Sequence, residues 1–232
     1  VKQSIVIFGG SSGIGLQLTK RLLELGNYVT IVSRNEEKLL SAKQELGHNL
    51  SVYRADAGNE NEIAAFMDII EPVDHLIITI RGSNISDLFI DSNTEKVKKA
   101  FDEKFWTQYN IVRHGLRKIK SSGSIIMTSG IASQRSYPSF YWHACANGAI
   151  ETLAKSLCRE ILPVRINVVS PAFVECKPND TERLKAVQSL EPEIPLKRLA
   201  SKDEIVEGYL YLMKNSYVTG SILTIDGGIL NA

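Results

Sequence analysis

Residues 4–26 read "SIVIFGGSSGIGLQLTKRLLELG": a short apolar run, a turn rich in glycine and serine, then apolar positions at helical spacing that stop at Gly26. The run at 4–8 predicts a strand, the spacing after Gly13 predicts a helix, and Gly26 supplies the residue that ends one. Strand, glycine turn and helix in that order set the pattern for the rest of the chain.

Outward from this unit the alternation repeats. Strands are predicted at 28–33 ("YVTIVS"), 50–55 ("LSVYRA") and 75–80 ("HLIITI"), with helices between them at 36–46 and 60–70. A long helical segment near 95–120 precedes a strand at 124–129, a helix near 142–161 and strands at 165–170 and 221–226. Short apolar strands separated by helices predict an α/β fold, a Rossmann-type doubly wound parallel sheet of about seven strands in a three-layer α/β/α sandwich. Nothing in the composition marks a boundary, so residues 1–232 are expected to form a single domain. Residues 172–196 turn polar and irregular, as a flap over a ligand or a plain surface loop would.

The glycine turn gains meaning from its position. Between a first strand and a first helix, glycines let the backbone approach a phosphate while the free N–H groups of the helix start face the negative charge. Gly9, Ser11, Ser12, Gly13, Ile14 and Gly15 are the candidates for holding a dinucleotide pyrophosphate. At the end of the second strand the sequence reads "VSRNEEK": Arg34 beside Ser33 stands where an acidic residue would bond a ribose hydroxyl. A guanidinium takes a 2′-phosphate by paired hydrogen bonds, which favours NADP(H) over NAD(H). A solvated arginine with Glu36 and Glu37 nearby is the plain alternative.

Composition excludes more than it suggests. The 27 basic and 26 acidic residues leave a net charge of +1, which offers no chain-wide field for nucleic acid. Apolar runs fall far short of the roughly 20 residues a membrane span needs. No secretory signal is read at the N-terminus. Cys145, Cys158 and Cys176 form no CxxC pair, so no disulfide framework or metal site is expected. These features fit a cytoplasmic protein that acts on a small molecule.

The spacing Gly9, Gly13, Gly15 resembles the TGxxxGxG signature of the short-chain dehydrogenase/reductase family, with Phe8 in place of its threonine. "RADAG", "RINVVSPAFV" and "PLKRLASKDEI…YVTGSILTIDGG" extend the resemblance over nearly the whole chain. It implies an adenine contact at Asp56 and a nicotinamide end lined by Pro171 and Val174. Cys176 stands where that motif often ends in threonine. The resemblance also implies a homodimer or homotetramer.

The family's reaction chemistry uses a tyrosine, a lysine four residues later, a serine thirteen residues before the tyrosine, and an asparagine on the preceding helix. Anchored on "NGAIETLAKSL", the resemblance puts the lysine position at Asn147, the tyrosine position at His143 and the serine position at Gly130, next to Ser129. "FDEKFW" puts the asparagine position at Lys104, and "TIRG" places Arg81 where a small neutral residue is usual. Shifting the frame does not help, because Tyr141 is followed at four residues by Cys145 and Tyr137 by Tyr141.

A positioned proton donor is worth about 100 to 10,000-fold in rate. His143, with an ordinary imidazole pKa near 6.5, is the expected replacement donor. Lys104 is expected to bring positive charge, and Ser129 to hold a substrate oxygen. Capping, packing or solvation accounts equally well for each of the three. Three functions stay open: an oxidoreductase for a small carbonyl or alcohol with a non-standard catalytic set, a silent NADP(H)-binding sensor or scaffold, and a non-redox lyase or isomerase. Phe105, Trp106 and Trp142 are expected to pack in the core or between subunits rather than wall a substrate.

Overall fold

Apolar residues at consecutive strand positions demand cover on both faces, and the chain provides it. The computed structural model describes residues 2–83, 85, 87–176 and 188–232. Seven strands form one parallel sheet: β1 (Ser4–Phe8), β2 (Tyr28–Ser33), β3 (Leu50–Arg54), β4 (Val73–Ile78), β5 (Ile119–Thr128), β6 (Arg165–Pro171) and β7 (Ile222–Ile225). Their order is β3-β2-β1-β4-β5-β6-β7. The helices are α1 (Gly13–Glu24), α2 (Glu36–Leu46), α3 (Glu60–Ile69), α4 (Thr94–Phe101), α5 (Thr107–Gly115), α6 (Tyr141–Leu157) and α7 (Lys202–Lys214).

Side chains of a strand alternate between faces, and β1 shows both sides in use. Ile5 and Ile7 join a buried cluster with Leu18 and Leu22 of α1, Leu39 of α2, and Ile205 and Tyr209 of α7. Val6 and Phe8 join the opposite cluster with Phe66 of α3, Ile111 of α5 and Ile150 of α6. Each fully buried isoleucine or leucine contributes about 2 kcal/mol, which makes these two clusters the main support of the sandwich.

Two elements differ from the sequence expectation. The helical segment near 95–120 is interrupted: a π-helical turn at Asp102–Trp106 separates α4 from α5, and Thr107 Oγ1 donates to Asp102 O at 3.1 Å across it. Such a turn carries one extra residue, which a 3.6-residue pattern does not reveal. Helix α7 was not anticipated, although Ser201 and Glu204 form a reciprocal capping box at its start. Most of the expected flap, residues 177–187, lies outside the described residues. Among the described residues no helix is long and apolar enough to cross a membrane.

Candidate functional site

The chain runs from β1 outward to β2 and β3, then returns to the other side of β1 at β4. Loops leaving the carboxyl ends of β1 and β4 therefore part in opposite directions, and the crevice between them is where open α/β sheets take ligands. A cleft of about 670 Å³ lies there. Its walls come from the β1 loop, the ends of β2 and β3, residues 79–83 after β4, Glu103 and Thr107, residues 174–176 after β6, and Lys202 of α7.

Two glycines make the β1 loop possible. Gly13 has φ +56°, and a Cβ there would meet nothing within 4 Å, so its backbone is bare toward the cleft. Gly15 is a close approach: a Cβ would lie 2.2 Å from Gly9 O and 2.4 Å from Thr79 Oγ1. Side chains of Asn35, Asn59, Asn93 and Ser201 accept first-turn amide bonds at the starts of α2, α3, α4 and α7. At α1, Ser12 makes no such bond and the first turn holds no acidic residue. Its amides and the positive end of its dipole are left for an anion, so this cradle fits a pyrophosphate.

Of the expected cofactor residues, Gly9, Ser12, Gly13, Ile14, Ser33, Arg34, Asp56 and Val174 line the cleft. Three do not. Ser11 is buried and donates to Ser33 Oγ at 2.9 Å, Gly15 packs beneath the loop, and Pro171 ends β6 paired with Ile225. Asp56 is exposed, and its Oδ1 accepts from Gly58 N at 2.9 Å. Arg34 is exposed and forms no ion pair among the described residues, Glu36 and Glu37 included. Sequence reading missed Lys38, which lies in the first turn of α2 and lines the same cleft as Arg34. Thr107 and Lys202 were also missed, because the π-turn and α7 place them.

The expected catalytic residues behave differently. Lys104 is 7% exposed, and its Nζ donates to Ile80 O at 3.2 Å and Thr128 O at 3.0 Å. Burial, and then the charge of Arg81, push its pKa down to about 8. Lys104 does not itself line the cleft, but Ile80, one of its acceptors, does. His143 stacks on Trp142 with ring centroids 3.7 Å apart, and its Nδ1 is buried without a hydrogen bond. Burial, then Lys104 and Arg81, hold His143 down to about 4. Burial and the two nearby cations thus disfavour the protonated ring relative to an ordinary imidazole.

Ser129 has a different set of contacts. It is buried, and its hydroxyl donates to Glu151 Oε1 at 2.8 Å, an oxygen that also accepts from Ser133 Oγ at 2.7 Å. Its proton is committed to α6 rather than presented to the cleft. Lys104, His143 and Arg81 are thus brought within electrostatic reach of one another, and Ser129 is left out. Trp142 is buried, with Nε1 donating to Ile85 O at 2.9 Å, whereas Trp106 is 47% exposed beside Phe105 and Tyr109.

A parallel sheet with this strand order, a glycine loop opening α1 and a cleft at the switch point define a dinucleotide-fold protein. The chain belongs to the short-chain dehydrogenase/reductase family: the family described as "Enoyl-(Acyl carrier protein) reductase" matches residues 9–230. It is 26% identical over 230 residues to a 3-oxoacyl-[acyl-carrier-protein] reductase of Mus musculus, covering 96% of each chain. It is 27% identical over 230 residues to carbonyl reductase family member 4 of Xenopus laevis, again covering 96% of each. Among solved structures, a small-chain dehydrogenase in complex with NADPH matches with TM-score 0.81 and 28% identity over 100% of both chains. A short chain dehydrogenase/reductase family protein matches with TM-score 0.89 and 26% identity, over 99% of this chain and 98% of that one.

Proposed function

We propose that this chain is an NADP(H)-dependent oxidoreductase for a small carbonyl or alcohol, working with a non-standard catalytic set. One observation carries the reading: a single cleft runs from Arg34, Ser33 and Lys38 at one end, past the bare Gly13 backbone, to the β4 loop in front of Lys104. Arg34 and Lys38 place two cations where a 2′-phosphate would lie, and the NADPH-bound relative supports that cofactor. Reductase names among the relatives support a carbonyl substrate.

The cofactor, when bound, supplies or accepts a hydride. The chain's own residues bind the dinucleotide, hold the substrate oxygen and stabilise its negative charge. Lys104 Nζ, protonated below about pH 8, puts a positive charge one carbonyl behind the wall. A fixed cation near a developing alkoxide lowers the barrier without reorganisation of solvent. His143 is neutral in this set and acts as a hydrogen-bonding group, and the proton that converts the alkoxide to the alcohol is taken from solvent in the cleft. The positions at which the family carries asparagine, tyrosine, lysine and serine hold Lys104, His143, Asn147 and Gly130. Trp106, exposed beside the partly buried rings of Phe105 and Tyr109, supports assembly of like subunits.

The test is NADPH oxidation, followed by nicotinamide absorbance, over a panel of 3-oxoacyl thioesters and simple aldehydes and ketones. Turnover with at least one carbonyl is expected. A second reading, a silent NADP(H)-binding scaffold, is favoured by the commitment of Ser129 to Glu151 and the neutrality of His143. NADPH binding with no turnover on any carbonyl would select it.

A further inference from the structure

Lys202 lines the cleft together with Ser12, Gly13 and Ile14, although it belongs to α7 at the far end of the chain. The juxtaposition is fixed by a contact between helices. Gln17, one turn into α1, donates from Nε2 to Asp203 Oδ1 at 2.6 Å, so the first turn of α7 is docked beside the first turn of α1. Lys202 is partly buried, and among the described residues it has no ion pair or hydrogen bond for its ammonium. Glu175 shares the cleft wall without pairing with it.

Its place in α7 works against the helix. Lys202 is the first residue after the N-cap Ser201, at the positive end of the helix dipole, where a cation is disfavoured. The cap itself is complete without it, through Ser201 and Glu204, and Asp203 and Glu204 supply the acidic first turn. A lysine here does nothing for α7. It does line a cleft together with the uncapped start of α1, which has no acidic residue in that first turn.

We propose that Lys202 is a phosphate clamp, its ammonium gripping the dinucleotide pyrophosphate alongside the amides of α1. The inference rests on the dinucleotide reading above and adds a residue to it. The pyrophosphate rather than the 2′-phosphate is the target, because Arg34 and Lys38 come from the β2 end whereas Lys202 shares its wall with Gly13 and is docked to α1. A charge-assisted contact of this kind also weakens as salt rises.

Calorimetric titration of the whole chain with NADPH and with 2′-AMP, which has the 2′-phosphate but no pyrophosphate, separates the two subsites. Lys202→Met keeps the aliphatic stem and is expected to weaken NADPH about tenfold at low salt, while 2′-AMP stays within about twofold. Lys202→Arg is expected to restore NADPH to within about threefold of the wild type. Unchanged NADPH affinity in Lys202→Met overturns the clamp alone, as does an equal loss of 2′-AMP, which also controls for folding. Folded wild-type protein that binds no NADPH overturns the dinucleotide reading and the clamp together.

Discussion

Among the described residues two cations, Arg165 and Lys104, are buried, one at each end of the sheet, and they have different fates. At the amino end of β6, Arg165 donates to the carbonyls of Leu212 and Met213 in the last turn of α7 and of Val218 beyond it, at 2.8, 2.9 and 3.1 Å. The Leu212 and Met213 carbonyls, in the last turn of the helix, would otherwise lack partners, as helix ends do, whereas Val218 O also accepts from Asn167 Nδ2 at 2.9 Å. At the carboxyl end, Lys104 donates to the carbonyls of Thr128, which ends β5, and of Ile80, just past β4. Burial lowers the pKa of both groups, but a guanidinium still keeps its proton, whereas Lys104 loses its own near pH 8. Burial of a charge is therefore no mark of function. A charge that can be given up, set one carbonyl behind a cleft, is the feature that separates the two.

Arg165→Met is expected to have the largest effect, a loss of about 3 kcal/mol in stability, because the carbonyls of Leu212 and Met213 lose their side-chain donor and Val218 O keeps only that of Asn167. Denaturant titration measures it, and NADPH affinity of the folded fraction should not change. Lys104→Met sharpens the contrast: turnover should fall about 100-fold while NADPH affinity stays within about twofold. If that variant instead loses stability and keeps its turnover, Lys104 joins Arg165 as a structural cation.

Acid gives a third test, at the amino end. His75 is buried with Nδ1 2.8 Å from Ser124 Oγ, and burial, then Arg165, hold its pKa down to about 4. The unfolded chain protonates this ring near pH 6.5 and the native chain does not. Stability is therefore full above that pH and is lost as pH falls through the window down to about 4. The loss approaches about 3 kcal/mol at the acid end, and His75→Phe should remove that component. The smallest effect is expected at the cleft rim: Arg34→Ala should weaken NADPH about tenfold and leave NADH within about twofold. Equal losses for the two would remove Arg34 from the 2′-phosphate site.

What sequence alone determined is local. The apolar run at 4–8, the glycines at 9, 13 and 15 and the alternation of strands and helices were legible because each depends on neighbours within a few residues. Arg34 was legible for the same reason, as the residue ending a strand that must point its end at the cleft. The rest of the rim and the environment of the reaction end were not. Lys202 reaches the cleft only because α7 docks on α1, and Lys104 turns inward only because a π-helical turn breaks the helical period. Nor does any spacing in the sequence show that Ser129 gives its hydroxyl to Glu151 or that Trp142 and two cations keep His143 neutral. Proton affinity and hydrogen-bond partners depend on which groups packing brings together and how much water it removes, and tertiary structure alone decides both.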